Sequence, residues 1–171
     1  RRAEEAGMNL VRSNDISELY TAISRRFSHP DKQIPMIRQR YFEELFQAYP
    51  EHLAAYYLYD REGTLTGALA TQEYKRFLLW IGAPRIEGPH AGNEYLQWLL
   101  VRRAKDEGYR TFENIGANTP DLNLFKSRFC SNLEIYMEIY RKDMIGTVAE
   151  WAYSSIAGTS WLKRRVAPYI E

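Results

Sequence analysis

Residues 52–83, "HLAAYYLYDREGTLTGALATQEYKRFLLWIGA", limit the possible folds more than any other part of the chain. They hold three apolar runs of strand length: "HLAAYYLYD", "LTGALATQEYK" and "RFLLWIGA". The tight turn "REGT", with Gly63, separates the first two, and the second runs almost directly into the third. Connections this short leave no room for a crossover, so the three runs pair as an antiparallel meander. Whatever the chain folds into is built on that sheet.

Helical periodicity flanks the meander on both sides. After a short strand near Met8–Val11, Asn14 or Asp15 can cap a helix whose apolar positions are Ile16, Leu19, Tyr20, Ile23 and Phe27. "SHPDKQIP" breaks it, and Pro35 suits the first position of a second helix. That helix presents Ile37, Tyr41, Phe42, Leu45 and Phe46 on one face and ends at Pro50. Downstream, the Gly- and Pro-rich "PRIEGPHAGN" leads to a long helix capped by Asn93, with Glu94 in its first turn. Its buried stripe is Leu96, Leu99, Leu100 and Ala104, and Gly108 stops it. "YRTFENIGAN" reads as a strand ending at Gly116, and Thr119 with Pro120 opens a short helix over 120–129. Leu133, Ile135, Met137 and Ile139 alternate with Glu134, Tyr136, Glu138 and Tyr140, which predicts a half-buried strand over 133–141. A helix from about Ile145 to Ile156 follows, then a polar tail.

The order is β-α-α-β-β-β-α-β-α-β, an α+β or mixed α/β class and not a doubly wound sheet. A chain of 171 residues is read as one domain over 1–145, with 146–171 a C-terminal helix and tail of the same domain. The formal net charge of +1 demands no nucleic-acid partner. A single cysteine and three scattered histidines exclude an internal disulfide framework and give no metal-ligand spacing. No apolar run approaches the roughly 20 residues of a bilayer span, and no signal peptide opens the chain, so a reducing cytoplasm is the expected location. The start at Arg1, on "RRAEEAGM", reads as the end of a helix and predicts a fragment of a longer protein.

The same element order is that of the GNAT acyltransferase fold, a central, mostly antiparallel twisted sheet flanked by helices. Within it the chain resembles the Fem-type (FemABX) group of peptidyl- and acyltransferases. The resemblance rests on "GTLTGALA", "LLWIGA", "NEYLQWLLVRRAKDEGY" and "TFENIGANTPDLNLFKSRF" in that order. It includes Trp98, Ala104, Gly108, Tyr109, Gly116, Phe125, Lys126 and Phe129, and covers roughly residues 8–145. Fem-type proteins pair two GNAT-like halves across a cleft, and this chain is similar to the second.

The resemblance implies a sheet that splays between its fourth and fifth strands, here 76–83 and 110–116. An acyl-pantetheine arm would lie in that gap, with its pyrophosphate at the free N–H groups where the next helix starts. By position this makes Arg85, Gly88, Gly92 and Asn93 the candidate acyl-CoA contacts. The segment does not spell the Q/R-x-x-G-x-G/A pattern of CoA-binding relatives, so the alternative is a plain connection with Asn93 as a cap. Lys126 matches the family lysine near the reacting centre, where a fixed cation stabilises an oxyanion; the alternative is a solvated helix residue. Phe125 is a candidate wall against the substrate, although Leu122, Phe125 and Phe129 also fall at core spacing. Asn114 can orient a carbonyl, whereas Asn118 reads as closing a turn. Tyr136 is a candidate substrate contact able to protonate a leaving thiolate, with packing as the alternative. His90 has no carboxylate partner in sequence, and Cys130 has no paired base.

The expected activity is direct N-acyl transfer from an activated donor, acyl-CoA or aminoacyl-tRNA, to a small-molecule or peptide amine. It would run by positioning and electrostatics, with no covalent enzyme intermediate and no metal. The alternative is a non-catalytic half that binds acceptor or pairs with a second GNAT half upstream; a homodimer would imitate that pairing.

Overall fold

The structure, a computed structural model, describes residues 7–27, 38–83, 86, 92–116, 120–129, 132 and 134. The chain divides into two compact units, Arg1–Asn132 and Leu133–Glu171, and every element below belongs to the first. In chain order these are β1 (Asn9–Ser13), α1 (Ser17–Phe27), α2 (Gln39–Ala48), β2 (Leu53–Tyr59), β3 (Leu65–Glu73), β4 (Phe77–Gly82), α3 (Gly92–Asp106), β5 (Phe112–Asn114) and α4 (Pro120–Lys126). The five strands form one sheet in the order β1-β2-β3-β4-β5. All neighbours pair antiparallel except β4 and β5, which are parallel. The element order and the mostly antiparallel sheet agree with the sequence reading as far as α4. The strand expected over 133–141 and the helix beyond it lie outside the described residues, as does Pro35.

Local chemistry explains where the elements start and stop. Asp15 is the residue that caps α1: its Oδ1 accepts from the Ser17 backbone N–H at 2.9 Å and from the Ser17 hydroxyl. Those bonds favour the ionised form and hold the Asp15 carboxyl below its usual range. The β2–β3 turn is organised by Asp60, whose Oδ1 accepts from the Glu62 and Thr64 N–H groups. At the end of α3, the Tyr109 N–H bonds Ala104 O and the Gly108 N–H bonds Lys105 O. This is a Schellman stop, and it needs the left-handed backbone that Gly108 adopts at φ +81°.

Both faces of the sheet are covered. Residues of β2 alternate between them, so Leu53, Ala55 and Tyr57 join Ile16, Leu19, Ile23 and Phe46 under α1 and α2. Ala54, Tyr56 and Leu58 point the other way, into a core with Phe77, Leu79 and the α3 residues Leu96, Leu100 and Ala104. A strand buried on both sides reads as a continuous apolar run, which is what residues 53–59 are. Each fully buried Leu or Phe in these layers contributes roughly 1.5–3 kcal/mol.

Three boundaries differ from the sequence reading. The fifth strand is three residues long, not seven, because its pairing with β4 covers only Phe77↔Phe112, Leu78↔Glu113 and Leu79↔Asn114. Asn93 is not the cap of α3: the helix already includes Gly92, and the Asn93 amide donates to Ala83 O at 3.1 Å instead. The short helix is regular to Lys126 and continues as turns to Phe129, with no buried residue in it. Leu122 is therefore exposed and not core, while Phe125 and Phe129 pack on each other with ring centroids 5.6 Å apart.

Candidate active site

The sheet changes character within β4. Opposite β3, Ala70 pairs with Ile81 but Thr71 pairs with Leu79, so Trp80 is an extra residue and forms a β-bulge. Such an insertion bends the strand and shifts the side-chain alternation. Phe77 and Leu79 face α3, whereas Trp80, Ile81 and Ala83 all pack toward α1 and α2. Trp80 lies 5.9 Å from Phe42, which in turn contacts Tyr20 and Tyr41.

The bulge coincides with the end of β4–β5 pairing. The last bond between these strands runs from the Ile115 N–H to Leu79 O, at 3.4 Å. Beyond it, Trp80–Gly82 have no partner on the β5 side among the described residues. The result is a fork with an unpaired strand edge, a surface that accepts an extended chain carrying its own amide groups.

The start of α3 is held against β3 on the other flank of β4. Gly92 is buried there, and a Cβ on it would lie 2.0 Å from Thr66 O and 2.5 Å from Thr66 C. The helix can therefore reach β3 only with glycine at this position. Its first turn carries the positive end of the helix dipole, toward which Glu94 contributes a negative charge.

Two sequence candidates meet at the fork. Asn114 is the last residue of β5, and its Nδ2 donates to Oε1 of the buried Gln97 on α3 at 2.8 Å. Lys126 folds back from α4, and its ammonium donates to the Ile115 carbonyl close to Gly116. Phe125 is adjacent but half-buried against Phe129. Gly92 and Asn93 lie at the other flank of β4, around Ala83 and Thr66. Arg85, Gly88 and Tyr136 fall outside the described residues, as do His90, Asn118 and Cys130. The groups gathered at the fork are an amide, an ammonium and backbone dipoles; they can orient and polarise, which suits direct transfer more than nucleophilic catalysis.

Sequence reasoning missed a second polar cluster at the opposite end of the sheet. The buried Glu73 carboxylate accepts from the Tyr56 hydroxyl and the Thr71 hydroxyl, both at 2.7 Å, and pairs with Arg12 at 3.2 Å. The Arg103 guanidinium stands over the Tyr56 ring at 5.3 Å. Burial, then the hydrogen bond to Glu73, pushes the Tyr56 phenol well above its usual range. Partners 17 and 61 residues away in sequence leave no local signal for this cluster. Among the described residues no group of His, Cys, Asp and Glu is arranged to hold a metal. No described helix is long and apolar enough to cross a membrane.

A five-stranded sheet that forks between a parallel last pair, with the helix connecting that pair rooted against β3 at Thr66, defines an acyltransferase fold. The family model for the acetyltransferase (GNAT) domain matches residues 1–126, and the chain belongs to that family. No curated protein matches it in sequence. Among solved structures it is similar to an aminoglycoside acetyltransferase from an uncultured soil metagenomic sample, in complex with sisomicin. That match has 11% identity and TM-score 0.58, covering 79% of this chain and 95% of the other. It is also similar to a ribosomal-protein-alanine N-acetyltransferase from Brucella melitensis biovar Abortus 2308, at 12% identity, TM-score 0.57, and 80% and 99% coverage. A predicted acetyltransferase with acetyl-CoA from Clostridium acetobutylicum gives 13% identity, TM-score 0.51, and 78% and 96% coverage. At these identities the likeness is one of fold.

Proposed function

We propose that this chain is an N-acyltransferase that takes the acyl group of an acyl-CoA thioester and passes it to an amine. The observation that carries the reading is the fork itself: β4 loses its β5 partner after Leu79, beside a bulge at Trp80. The open edge from Trp80 to Gly82 fits the amide groups of a pantetheine arm. Backbone N–H groups at Gly92 and Asn93, with Arg85 and Gly88 in the preceding segment, would hold the pyrophosphate. Asn114 and Lys126 would then stand at the reacting end. The Lys126 ammonium offsets the negative charge that builds on the carbonyl oxygen, and Asn114 orients a reactant. Phe125 and Tyr136 would contact the substrates. As the amine nitrogen bonds the acyl carbon, the C–S bond breaks and the amine proton leaves to the thiolate or to solvent.

Calorimetric titration with acetyl-CoA, and thiol release with sisomicin or a peptide with an N-terminal alanine, test this. Saturable binding is expected, and Lys126→Met should lower transfer by about 10²-fold with the donor Kd little changed. A wild-type chain that binds neither acetyl-CoA nor CoA sinks the proposal.

A second reading places the chain in the Fem-type group, with an aminoacyl-tRNA donor and a second GNAT-like half as its partner. The Phe125, Lys126 and Phe129 arrangement after β5 favours it. Binding of charged tRNA in preference to acetyl-CoA would select this reading. Binding of neither, with tight association to a second half or to another copy, would select a non-catalytic role.

A further inference from the structure

The buried face of α3 holds one polar side chain that its amphipathic pattern does not call for. Leu96, Leu100 and Ala104 form the apolar stripe, and Gln97 is buried beside them at 7% exposure. A buried carboxamide is costly unless it is hydrogen-bonded. Its partner is Asn114, on the strand residue paired with Leu79, immediately before β4 and β5 part.

A carboxamide has an oxygen end and a nitrogen end, and fixing one fixes the other. Asn114 gives its Nδ2 to Gln97, so its Oδ1 is turned away from α3. Among the described residues that oxygen has no hydrogen-bond partner. We infer that Gln97 is a positioning residue: it locks the Asn114 amide so that Oδ1 stands at the fork as an acceptor for a substrate N–H. This rests on the acyltransferase reading and deepens it. Either the attacking amine or the amide next to the donor thioester carries an N–H of the required kind. A bond from the amine would direct its lone pair toward the acyl carbon, whereas one from the donor would fix the thioester. Both uses need the oxygen outward, and free rotation of the Asn114 amide would present the NH₂ group half of the time.

Two substitutions separate positioning from packing. Gln97→Met keeps the length and volume of the side chain and loses the strong acceptor; Gln97→Glu keeps an acceptor. The Asn114 side-chain amide protons, assigned by NMR through Asn114→Asp, should show a hydrogen-bonded shift in the wild type and in Gln97→Glu. In Gln97→Met that shift should be lost. Acetyl transfer to sisomicin or to the alanyl peptide should fall about tenfold or more in Gln97→Met and stay within about threefold in Gln97→Glu. A matching loss of CoA affinity, which needs no acyl group, would assign the N–H to the donor; a change in kcat and amine KM alone would assign it to the amine. Unchanged Asn114 amide signals in Gln97→Met overturn the inference, as does equal loss of activity in both variants. If the wild type neither binds CoA nor acetylates an amine, the acyltransferase reading falls, and the amide signals alone decide whether Gln97 locks Asn114.

Discussion

Single residues in this chain act mostly through partners far away in sequence. Glu73 collects a hydroxyl from β2, a hydroxyl from its own strand and a guanidinium from β1. Removing the carboxylate leaves those donors facing a cavity, so Glu73→Ala should cost about 3 kcal/mol in urea unfolding. An unchanged midpoint would show that the Arg12 pair is solvated after all. Asp15 is a smaller and more local case. Asp15→Ala should destabilise by about 1 kcal/mol, and Asp15→Asn, which also caps, should recover most of it. The two differ in legibility for the same reason. The Asp15 cap joins residues two apart and was readable from "SNDIS", whereas the Glu73 cluster exists only once three strands are aligned. Asn114 lies between: its place at the end of a strand was visible, but Gln97 was hidden inside an apolar stripe.

At the scale of elements, the strands were legible because tight turns and apolar alternation leave few other pairings. The bulge was not, since Trp80 and Ile81 are apolar and satisfy a straight strand equally well. The helices α1 and α3 declared their buried faces, and α2 did so through Phe42, Leu45 and Phe46, although Tyr41, read on the same face, is exposed. In α4, Leu122 fits a helical stripe with Phe125 and Phe129 and is exposed. Periodicity reports that a face exists and is silent on what covers it. The start of α3 is the element-level feature with the clearest consequence. A methyl group at position 92 would collide with backbone at Thr66 and not with a yielding side chain. Gly92→Ala should therefore move the helix off β3 and cost about 1–3 kcal/mol. Since the same helix start is proposed to hold the pyrophosphate, acetyl-CoA affinity should fall with stability. Weakened binding at an unchanged Tm would instead make Gly92 a direct contact.

Across the whole molecule, the most economical probe of both cores is the tyrosine set of β2. Tyr56 faces α3 and Tyr57 faces α1, so adjacent residues report on opposite sides of the sheet. Burial is the main cause that pushes both phenols well above their usual range, and at the strand end it brings Tyr59 up to about 12, helped by Glu18. A phenol with a folded pKa above its unfolded value of about 10 keeps its proton longer in the native state. Its contribution is complete below pH 10 and is lost as pH rises toward and beyond 12, because the unfolded chain releases the proton first. Stability should therefore hold to about pH 10 and decline above it. Tyrosinate absorbance should rise in more than one step, the last coinciding with loss of circular dichroism. Tyr57→Phe forfeits the hydroxyl bond to Asp15 O, about 1 kcal/mol at neutral pH, but it should flatten the alkaline decline. Tyr56→Phe should do the same from the other face. If every tyrosine ionises in one step near pH 10 with the fold intact, the two-sided burial of β2 is wrong, and with it the layered arrangement that sets the fork in place.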